Sequence, residues 1–188
     1  MKKWLVVLII IAVIAILLAG WIIKGLNAVV ILHENVQTAW AQVENQLQRR
    51  SDLVPNLVST VKGYAAHEQG LFTKITELRS QWAKAQTTQE KIKAAEGMGN
   101  VLSRLLLVAE NYPELKANEN FLTLQAQLEG TENRIAVERN RYNNAVRAFN
   151  TYIRTVFGSF FAGLRGLKHP AEYFEAEATA RAVPKVEF

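Results

Sequence analysis

An uninterrupted apolar run near the N-terminus constrains this chain more than any other feature. Of the 20 positions from Trp4 to Ile23 only Gly20 is not apolar, and none carries a charge or a carboxamide. A helix rises about 1.5 Å per residue, so this run would be roughly 30 Å long, which matches the hydrocarbon thickness of a bilayer. The run therefore predicts a transmembrane helix and argues against a wholly soluble protein.

The composition removes several functional classes. The chain has no cysteine, so disulfides, zinc–thiolate sites, iron–sulfur clusters and thiol nucleophiles are excluded. Its net charge is +5, and beyond the apolar run 20 Lys and Arg are interspersed with 17 Asp and Glu. Because binding to nucleic acid needs a focused basic surface, we predict no nucleic-acid partner.

We interpret residues 1–25 as a retained membrane anchor and not as a cleaved signal peptide. A signal peptide has an apolar stretch of about 7–15 residues and a small-x-small cleavage site. This run is longer, and Leu17 stands two positions before Ala19, where cleavage needs a small residue. Trp4 and Trp21 lie near the two ends of the run, where indole rings favour the headgroup boundary.

The flanking charges predict how the anchor is oriented. Lys2 and Lys3 precede the apolar run, whereas only Lys24 follows closely behind it. Positive residues tend to stay on the cytoplasmic side. We therefore expect a single-pass protein of the cell membrane with a cytoplasmic N-terminus and an extracytoplasmic main domain.

Beyond the run, apolar residues recur at steps of three and four, the spacing of one helix face. No period of two, which would indicate strands, extends over a useful length. We therefore predict an all-α fold: an N-terminal transmembrane helix followed by an antiparallel four-helix bundle of long helices, packed in coiled-coil fashion, over residues 26–157. The first apolar stripe comprises Val29, Leu32, Val36, Trp40, Val43 and Leu47.

Proline, threonine and asparagine residues predict where these helices begin and end. Pro55 removes a backbone donor, so we expect a cap or kink at Ser51-Asp52 with Pro55 in the first turn of a new helix. The other predicted boundaries are the polar turn Gln86–Glu90 with its threonine caps, the stop at Asn111-Tyr112-Pro113 and a cap at Asn118 or Asn120.

The last part of the chain mixes glycine with aromatic residues. We predict an irregular segment, or short helices, over residues 158–188 that packs on the bundle. The alternative is that Phe160 and Phe161 form an aromatic patch in contact with lipid or a partner, because exposed phenylalanine pairs are unusual on soluble surfaces.

Several polar residues lie in or beside the apolar stripes. A carboxylate such as Glu132 or Glu138 can pair across helices with Arg49 or Arg50. These residues either fix the helix register, as buried polar groups do in coiled coils, or line a functional polar groove. The candidates are Arg49, Arg50, Glu132, Asn133, Arg134, Asn143 and Asn150.

The motifs of known catalytic and metal sites are absent from the sequence. Its three histidines are far apart, and neither a Glu-x-x-His pair nor a Gly-x-Ser-x-Gly turn occurs. We therefore predict no catalytic residue, no metal and no cofactor. A concealed hydrolase or small-ligand site, built inside the bundle from Glu132, Arg134 and Arg50, is the alternative.

A series of motifs, in a fixed order from about residue 31 to the C-terminus, resembles one known family. The motifs are Glu34–Trp40, Gln46–Val58, Val61–Glu68, Ala109–Asn118, Thr131–Ala136, Tyr142-Asn143, Phe149-Asn150, Tyr173-Phe174 and Pro184–Phe188. They resemble the LemA family, except at Gly158, where the family more often has proline. The resemblance implies a bacterial or archaeal membrane protein with an N-terminal anchor and a four-helix bundle, and it implies no particular biochemical activity.

These observations lead to two functional expectations. The first is a non-enzymatic scaffold, tethered to the lipid bilayer, that binds envelope proteins or associates with itself. The second is a protein that binds or shapes the membrane through the segment around Phe160-Phe161.

Overall fold

The computed structural model describes residues 2–65 and 67–174. Within these ranges the regular structure is entirely helical and no strand occurs, which confirms the predicted all-α class. The helices are α1 (Lys2–Lys62), α2 (Gln69–Lys84), α3 (Thr88–Ala109), α4 (Pro113–Lys116), α5 (Glu119–Arg154) and α6 (Val156–Leu164).

Helix α1 is continuous over 61 residues and contains Pro55 in its interior. The predicted cap at Ser51-Asp52 is therefore wrong: the Asp52 carboxylate accepts a 2.8 Å hydrogen bond from Gln48 one turn earlier in the same helix. An interior proline costs about 3 kcal/mol. Here Val54 and Leu57, on either side of it, are buried in the core, and their packing keeps the helix intact.

The predicted helix starts at the threonine turn and at Asn118 are confirmed, whereas one break in the chain and one short helix went unpredicted. Thr87 caps α3 in a reciprocal arrangement with Glu90, and Asn118 caps α5 by accepting a 3.0 Å bond from the Phe121 amide. The break between α1 and α2 and the short helix α4 were not predicted from the apolar stripe. The spacing of apolar residues predicts which helix face is buried, and it does not predict where the chain turns.

The chain forms two compact units. The first comprises the described residues of Met1–Trp40 together with Arg141–Tyr173, and the second those of Ala41–Asn140 and Phe174–Phe188. Helices α1 and α5 each contribute residues to both units. The predicted domain boundaries, at residues 1–25, 26–157 and 158–188, stay a prediction. Residues 158–164 belong to α6, a short helix of the kind that the sequence allowed in this segment, and residues 175–188 lie outside the described part.

The second unit is built around one hydrophobic core. Every helix from α1 to α5 supplies side chains to it. Its most deeply buried members lie at the helical spacing expected of an inward face. They include Leu57, Val61, Ile75, Leu105 and Leu115.

In the first unit, α1 and the end of α5 run antiparallel. The Trp40 ring meets Tyr142 at 5.4 Å, and the His33 ring meets Phe149 at 5.5 Å. Further along, the Tyr152 hydroxyl donates a 3.1 Å bond to the Gly25 carbonyl. As the residue numbers on α1 fall, those of their contacts on α5 rise, so the two neighbouring helices pack antiparallel.

A glycine on α1 lets α6 approach closely in this same unit. A Cβ atom at Gly25 would lie 2.2 Å from the ring of Phe161, a distance that no real pair of atoms could keep. Phe161 is only 2% exposed and also contacts the Trp21 ring edge-on at 5.1 Å. Helix α6 is therefore fixed to α1 by an aromatic ring seated on a glycine.

The apolar stretch of α1 is exposed over its whole length. Among the described residues, α1 is the one helix long and apolar enough to cross a membrane. None of its most apolar 18-residue segment is buried. Its exposed side chains begin with Trp4, at 79%, and continue to Ile23. By length and composition this helix is consistent with membrane anchoring.

Replacing Gly25 by alanine tests the close packing of α6. We expect Gly25→Ala to lower the free energy of unfolding by about 1–3 kcal/mol, because the added methyl displaces the buried Phe161 ring. Gly20→Ala is the matched control, since a Cβ there meets nothing within 4 Å. Thermal unfolding of the detergent-solubilised chain, followed by near-ultraviolet circular dichroism, measures both. Equal transitions for the two variants would contradict the assigned contact.

Candidate functional site

The predicted polar residues divide sharply by burial. Arg50 is buried, whereas its neighbour Arg49 is exposed. On α5, Glu132, Asn133 and Arg134 are all exposed, so this trio does not lie in the interior as a group. The structure brings together Arg50 and Glu132 from the predicted set.

Arg50 is held by one carboxylate and one backbone carbonyl. Its Nη1 donates to Glu132 Oε2 at 2.8 Å, and its Nη2 donates to the Ala95 carbonyl at 2.6 Å. The guanidinium thereby links α1, α3 and α5. The Glu132 side chain is 56% exposed, so water screens the ion pair from one side and the pair contributes less than a fully buried one.

The sequence carried a signal for the burial of Arg50 and not of Arg49. Val43, Leu47, Arg50, Val54 and Leu57 follow steps of four, three, four and three, so Arg50 stands at a core position of the stripe. Arg49 is one position away and faces outward. A charged side chain at a core position needs a partner, and Glu132 supplies it.

Arg50 and Glu132 lie in the wall of an open groove of about 430 Å³ in the second unit. Its apolar floor is formed by Leu47, Leu102, Leu106, Leu128 and Ile135, and its polar rim by Glu96, Asn100, Ser103, Glu129 and Arg139. At one end Phe174 is buried, with the Arg139 guanidinium 4.1 Å from the centre of its ring. We define these residues as the α1–α3–α5 groove.

The hydrolase hypothesis required Arg50, Glu132 and Arg134 around one cavity. The groove is lined by the first two, and Arg134 is not among its lining residues. The Glu132 carboxylate is engaged by Arg50, so as placed here it is an ion-pair partner. Within residues 2–65 and 67–174, moreover, no group of three or more His, Asp and Glu side chains could hold a metal ion.

The first unit contains a second polar cluster, where Asn150 binds the chain after α6. Its Nδ2 donates to the Ala171 carbonyl and its Oδ1 accepts from the Ala171 amide, both at 2.8 Å. Asn150 is itself buried, whereas Asn143, one repeat earlier, is half-buried. The side chain of Asn150 thus binds both backbone groups of Ala171, and it fixes the return of the chain along α5.

Tyr142 reinforces this attachment. Its hydroxyl donates a 2.7 Å bond to the Glu172 carbonyl, next to the residue that Asn150 holds. Burial of the phenol, together with the nearby negative charge of Glu172, raises the pKa of Tyr142 to about 12. Tyr142 therefore stays protonated, and able to donate this bond, at physiological pH.

The aromatic candidates have unequal environments. Phe161 is buried against Gly25, whereas Phe160 beside it is 57% exposed. Trp21 makes an edge contact with Phe157 at 5.1 Å, and Trp4 is among the most exposed side chains of the chain. Of the predicted Phe160-Phe161 patch, therefore, only the ring of Phe160 is exposed.

Sequence reasoning missed several polar residues that organise the second unit. Thr131 is buried on the α5 stripe, where its hydroxyl donates to the Gln127 carbonyl at 2.7 Å. Lys91 on α3 forms an ion pair with Glu44 on α1. Thr131 occupies a stripe position, as Arg50 does, so counting polar residues in the apolar register would have found it.

The comparison with protein families gives one match. The model of the LemA family matches residues 39–188, well over half of the chain. The chain belongs to the LemA family. The predicted resemblance is thereby confirmed.

Four curated proteins resemble this LemA-family chain. The magnetosome protein MamQ 2 of Paramagnetospirillum magneticum is 27% identical over 175 residues, covering 79% of this chain and 64% of the relative. MamQ of Magnetospirillum gryphiswaldense is 26% identical with the same coverage. Protein LemA of Metamycoplasma hominis is 23% identical over 121 residues, covering 64% of this chain and 55% of the relative. The chain thus spans less than two thirds of their lengths, and none of these names states an enzymatic activity.

A pair of adjacent arginines tests the energetic role of the groove wall. We expect Arg50→Ala to lower the free energy of unfolding by about 2–3 kcal/mol, because two hydrogen bonds are lost and buried volume is vacated. Arg49→Ala, the control with the same change in charge, should lie within about 0.5 kcal/mol of the parent. Chemical unfolding of the detergent-solubilised chain by tryptophan fluorescence gives both values. A larger loss at Arg49 would be incompatible with the burial described.

The raised pKa of Tyr142 predicts a pH dependence. A tyrosine in the unfolded chain ionises near pH 10, whereas Tyr142 in the fold ionises near 12. Its contribution to stability is therefore complete below about pH 10 and is lost as the pH rises toward 12. Tyrosinate absorbance should show a late ionisation that is lost in Tyr142→Phe and kept in Tyr173→Phe, the control at an exposed position. Identical titration of Tyr142→Phe and the parent would refute the assignment.

Proposed function

We propose that this LemA-family chain is a membrane-tethered helical scaffold without catalytic activity. In this proposal α1 crosses the cell membrane once, and the long helices form an antiparallel four-helix bundle that binds proteins of the envelope. One observation carries it: the exposed apolar stretch of α1 continues without a break into a helix that supplies core residues such as Val54 and Leu57.

The physical argument for the tether is the cost of leaving this stretch in water. Large apolar side chains from Trp4 to Ile23 are exposed together, far beyond the isolated apolar residues of an ordinary soluble surface. Within a bilayer a helix satisfies its own backbone hydrogen bonds, so it is one of the few structures that can cross. Moving these side chains from water into lipid is favourable in free energy, and this supports an anchor.

The argument for a scaffold is the way the polar groups are used. Arg50, Asn150 and Tyr142 bind protein groups that hold elements of the chain in place. The α1–α3–α5 groove, with its apolar floor and mixed charges on the rim, presents a binding surface. Relatives named as magnetosome proteins are, by their names, associated with a cellular structure, which supports a role in an assembly.

Crosslinking from the groove tests the scaffold in intact membranes. We would place a photoreactive amino acid at Ser103, on the groove rim, and as a control at Thr123, an exposed position outside it. The proposal expects a discrete protein adduct from Ser103 and none from Thr123. A second copy of the chain is the simplest such partner and would give an adduct of twice the chain mass. If Ser103 yields no adduct under several growth conditions, the scaffold proposal fails.

The orientation proposed from Lys2, Lys3 and Lys24 can be measured separately. The chain has no cysteine, so Phe188→Cys introduces a single thiol without native competition. An extracytoplasmic main domain predicts labelling by a membrane-impermeant thiol reagent in intact cells. Labelling that occurs only after lysis would reverse the orientation and move the search for partners to the cytoplasm.

A further inference from the structure

Helix α6 exposes an apolar face that its own unit leaves uncovered. Gly158, Phe161 and Ala162 are buried against the unit. On the other side, the large apolar side chains Val156, Phe157, Phe160 and Leu164 are 57–82% exposed. At 100° per residue these four positions fall within one arc of the helix. We define them as the α6 apolar face.

This face is exceptional among the described residues beyond the apolar stretch of α1. The other exposed large apolar side chains there are dispersed over different elements: Ile31, Tyr64, Leu107, Leu122, Val137 and Tyr173. Single exposed apolar residues are normal on protein surfaces, whereas four on one helix of nine residues mark an interaction surface.

The position of α6 indicates what that surface meets. Phe157 and Phe161 both contact Trp21, near the end of the exposed apolar stretch, and Phe161 sits on Gly25. Helix α5 reaches the same level of α1, because the Tyr152 hydroxyl bonds to the Gly25 carbonyl. The α6 apolar face is therefore continuous with the surface of α1 that we propose lies in lipid.

The turn into α6 is built to hold the helix at this level. Thr155 separates α6 from α5 and caps it by accepting a 3.1 Å bond from the Gly158 amide. A Cβ at Gly158 would lie 1.9 Å from the Tyr152 carbonyl oxygen, so glycine permits the tight turn. The α6 apolar face is thus carried on a fixed element next to the end of the apolar stretch.

The charges around α6 have one sign. Between Glu138 and Glu172 the sequence has six Lys or Arg and no acidic residue. Arg154 and Arg165 flank α6 and are exposed, and Lys24 is exposed next to Gly25. The stem of Lys168 lies close to Gly163 of α6, since a Cβ at Gly163 would be 2.9 Å from Lys168 Cε. Apolar side chains flanked by cations suit an interface with anionic phospholipids.

The two compact units of the chain differ in net charge. The residues of the first unit include eight Lys and Arg and two Glu, whereas the remaining 115 residues have 14 Lys and Arg and 15 Asp and Glu. The net positive charge of the whole protein therefore belongs to the unit that contains the apolar stretch and α6.

We propose that the α6 apolar face inserts into the headgroup–acyl boundary of the bilayer that α1 crosses, with Arg154, Arg165 and Lys168 contacting anionic phospholipid headgroups. This inference rests on the proposed anchor and adds a second, interfacial contact with the same membrane. It also changes the predicted lipid patch: Phe160 remains in it, Phe161 packs inside the protein, and Val156, Phe157 and Leu164 join it.

The experiment measures depth at single positions of the full-length chain. Phe160→Cys reports on the α6 apolar face, and Ser159→Cys is the control, an exposed neighbour outside the arc. Ile16→Cys reports on the anchor. Each thiol would carry an environment-sensitive fluorophore in vesicles of phosphatidylcholine and phosphatidylglycerol, at a high lipid-to-protein ratio. Quenching by lipids brominated along the acyl chain is compared with quenching by a water-soluble agent.

We expect the fluorophore at Phe160 to emit at shorter wavelength in vesicles and to be quenched by the brominated lipid. The water-soluble agent should quench it only weakly. The Ser159 label should remain quenchable from water. Lipid quenching at Ile16 without lipid quenching at Phe160 overturns the inference and leaves the anchor intact. No lipid quenching at Ile16 overturns the anchor itself. A Phe160 label shielded from both quenchers is covered by a second copy of the chain, which also overturns the inference.

A second comparison tests the headgroup contact. The lipid quenching at Phe160 should be stronger with phosphatidylglycerol than with phosphatidylcholine alone, and Arg165→Gln/Lys168→Gln should abolish that difference. The matched control is Arg79→Gln/Lys84→Gln, which removes the same charge from exposed positions of α2 in the second unit. The assigned contact is contradicted if both double variants change the lipid quenching equally. It is also contradicted if phosphatidylglycerol does not increase the quenching in the parent.

Discussion

The continuity of α1 is the constraint on which the rest of the structure depends. This helix contains the exposed apolar stretch and then supplies buried side chains to both compact units. Pro55 should interrupt it, because proline lacks a backbone donor and its ring crowds the preceding turn. Buried residues on both sides of Pro55 keep the helix whole, so tertiary packing outweighs the local preference. A chain built this way joins its folded domain to its apolar stretch without a linker.

Two buried polar side chains each attach one element of the chain to another. Arg50 links three helices through a carboxylate and a carbonyl, and Asn150 binds both backbone groups of Ala171 in the returning chain. Each group is satisfied by a specific partner, which is what makes its burial tolerable. The same groups are then unavailable as free acids or bases. This use of the polar groups is a second support for the proposed scaffold, beside the continuity of α1.

Much of the fold could be predicted from sequence, and a smaller part of the candidate site. Periodic apolar residues predicted the helical class, and Thr87 and Asn118 predicted where α3 and α5 begin, because capping depends on neighbours within one turn. The pairing of Arg50 with Glu132 was among the pairings foreseen, since opposite charges beside apolar stripes seek each other across helices. The choice between Arg49 and Arg50 was not predicted, although the apolar stripe of α1 places Arg50 at a core position. The choice between Phe160 and Phe161 was not predicted either, and here the sequence carries no such signal. Adjacent residues point about 100° apart on a helix, and what lies opposite each depends on a distant segment.

By itself, the sequence determined that the chain is helical, that its first 23 residues include a stretch fit to cross a bilayer, and that it resembles the LemA family. These properties depend on local spacing and composition. Only the tertiary structure decided that α1 passes through Pro55, that Phe161 rests on Gly25 while Phe160 is exposed, and that Asn150 binds the backbone at Ala171. Each of these joins residues far apart in sequence, and such contacts form only when the whole core sets the position of the helices.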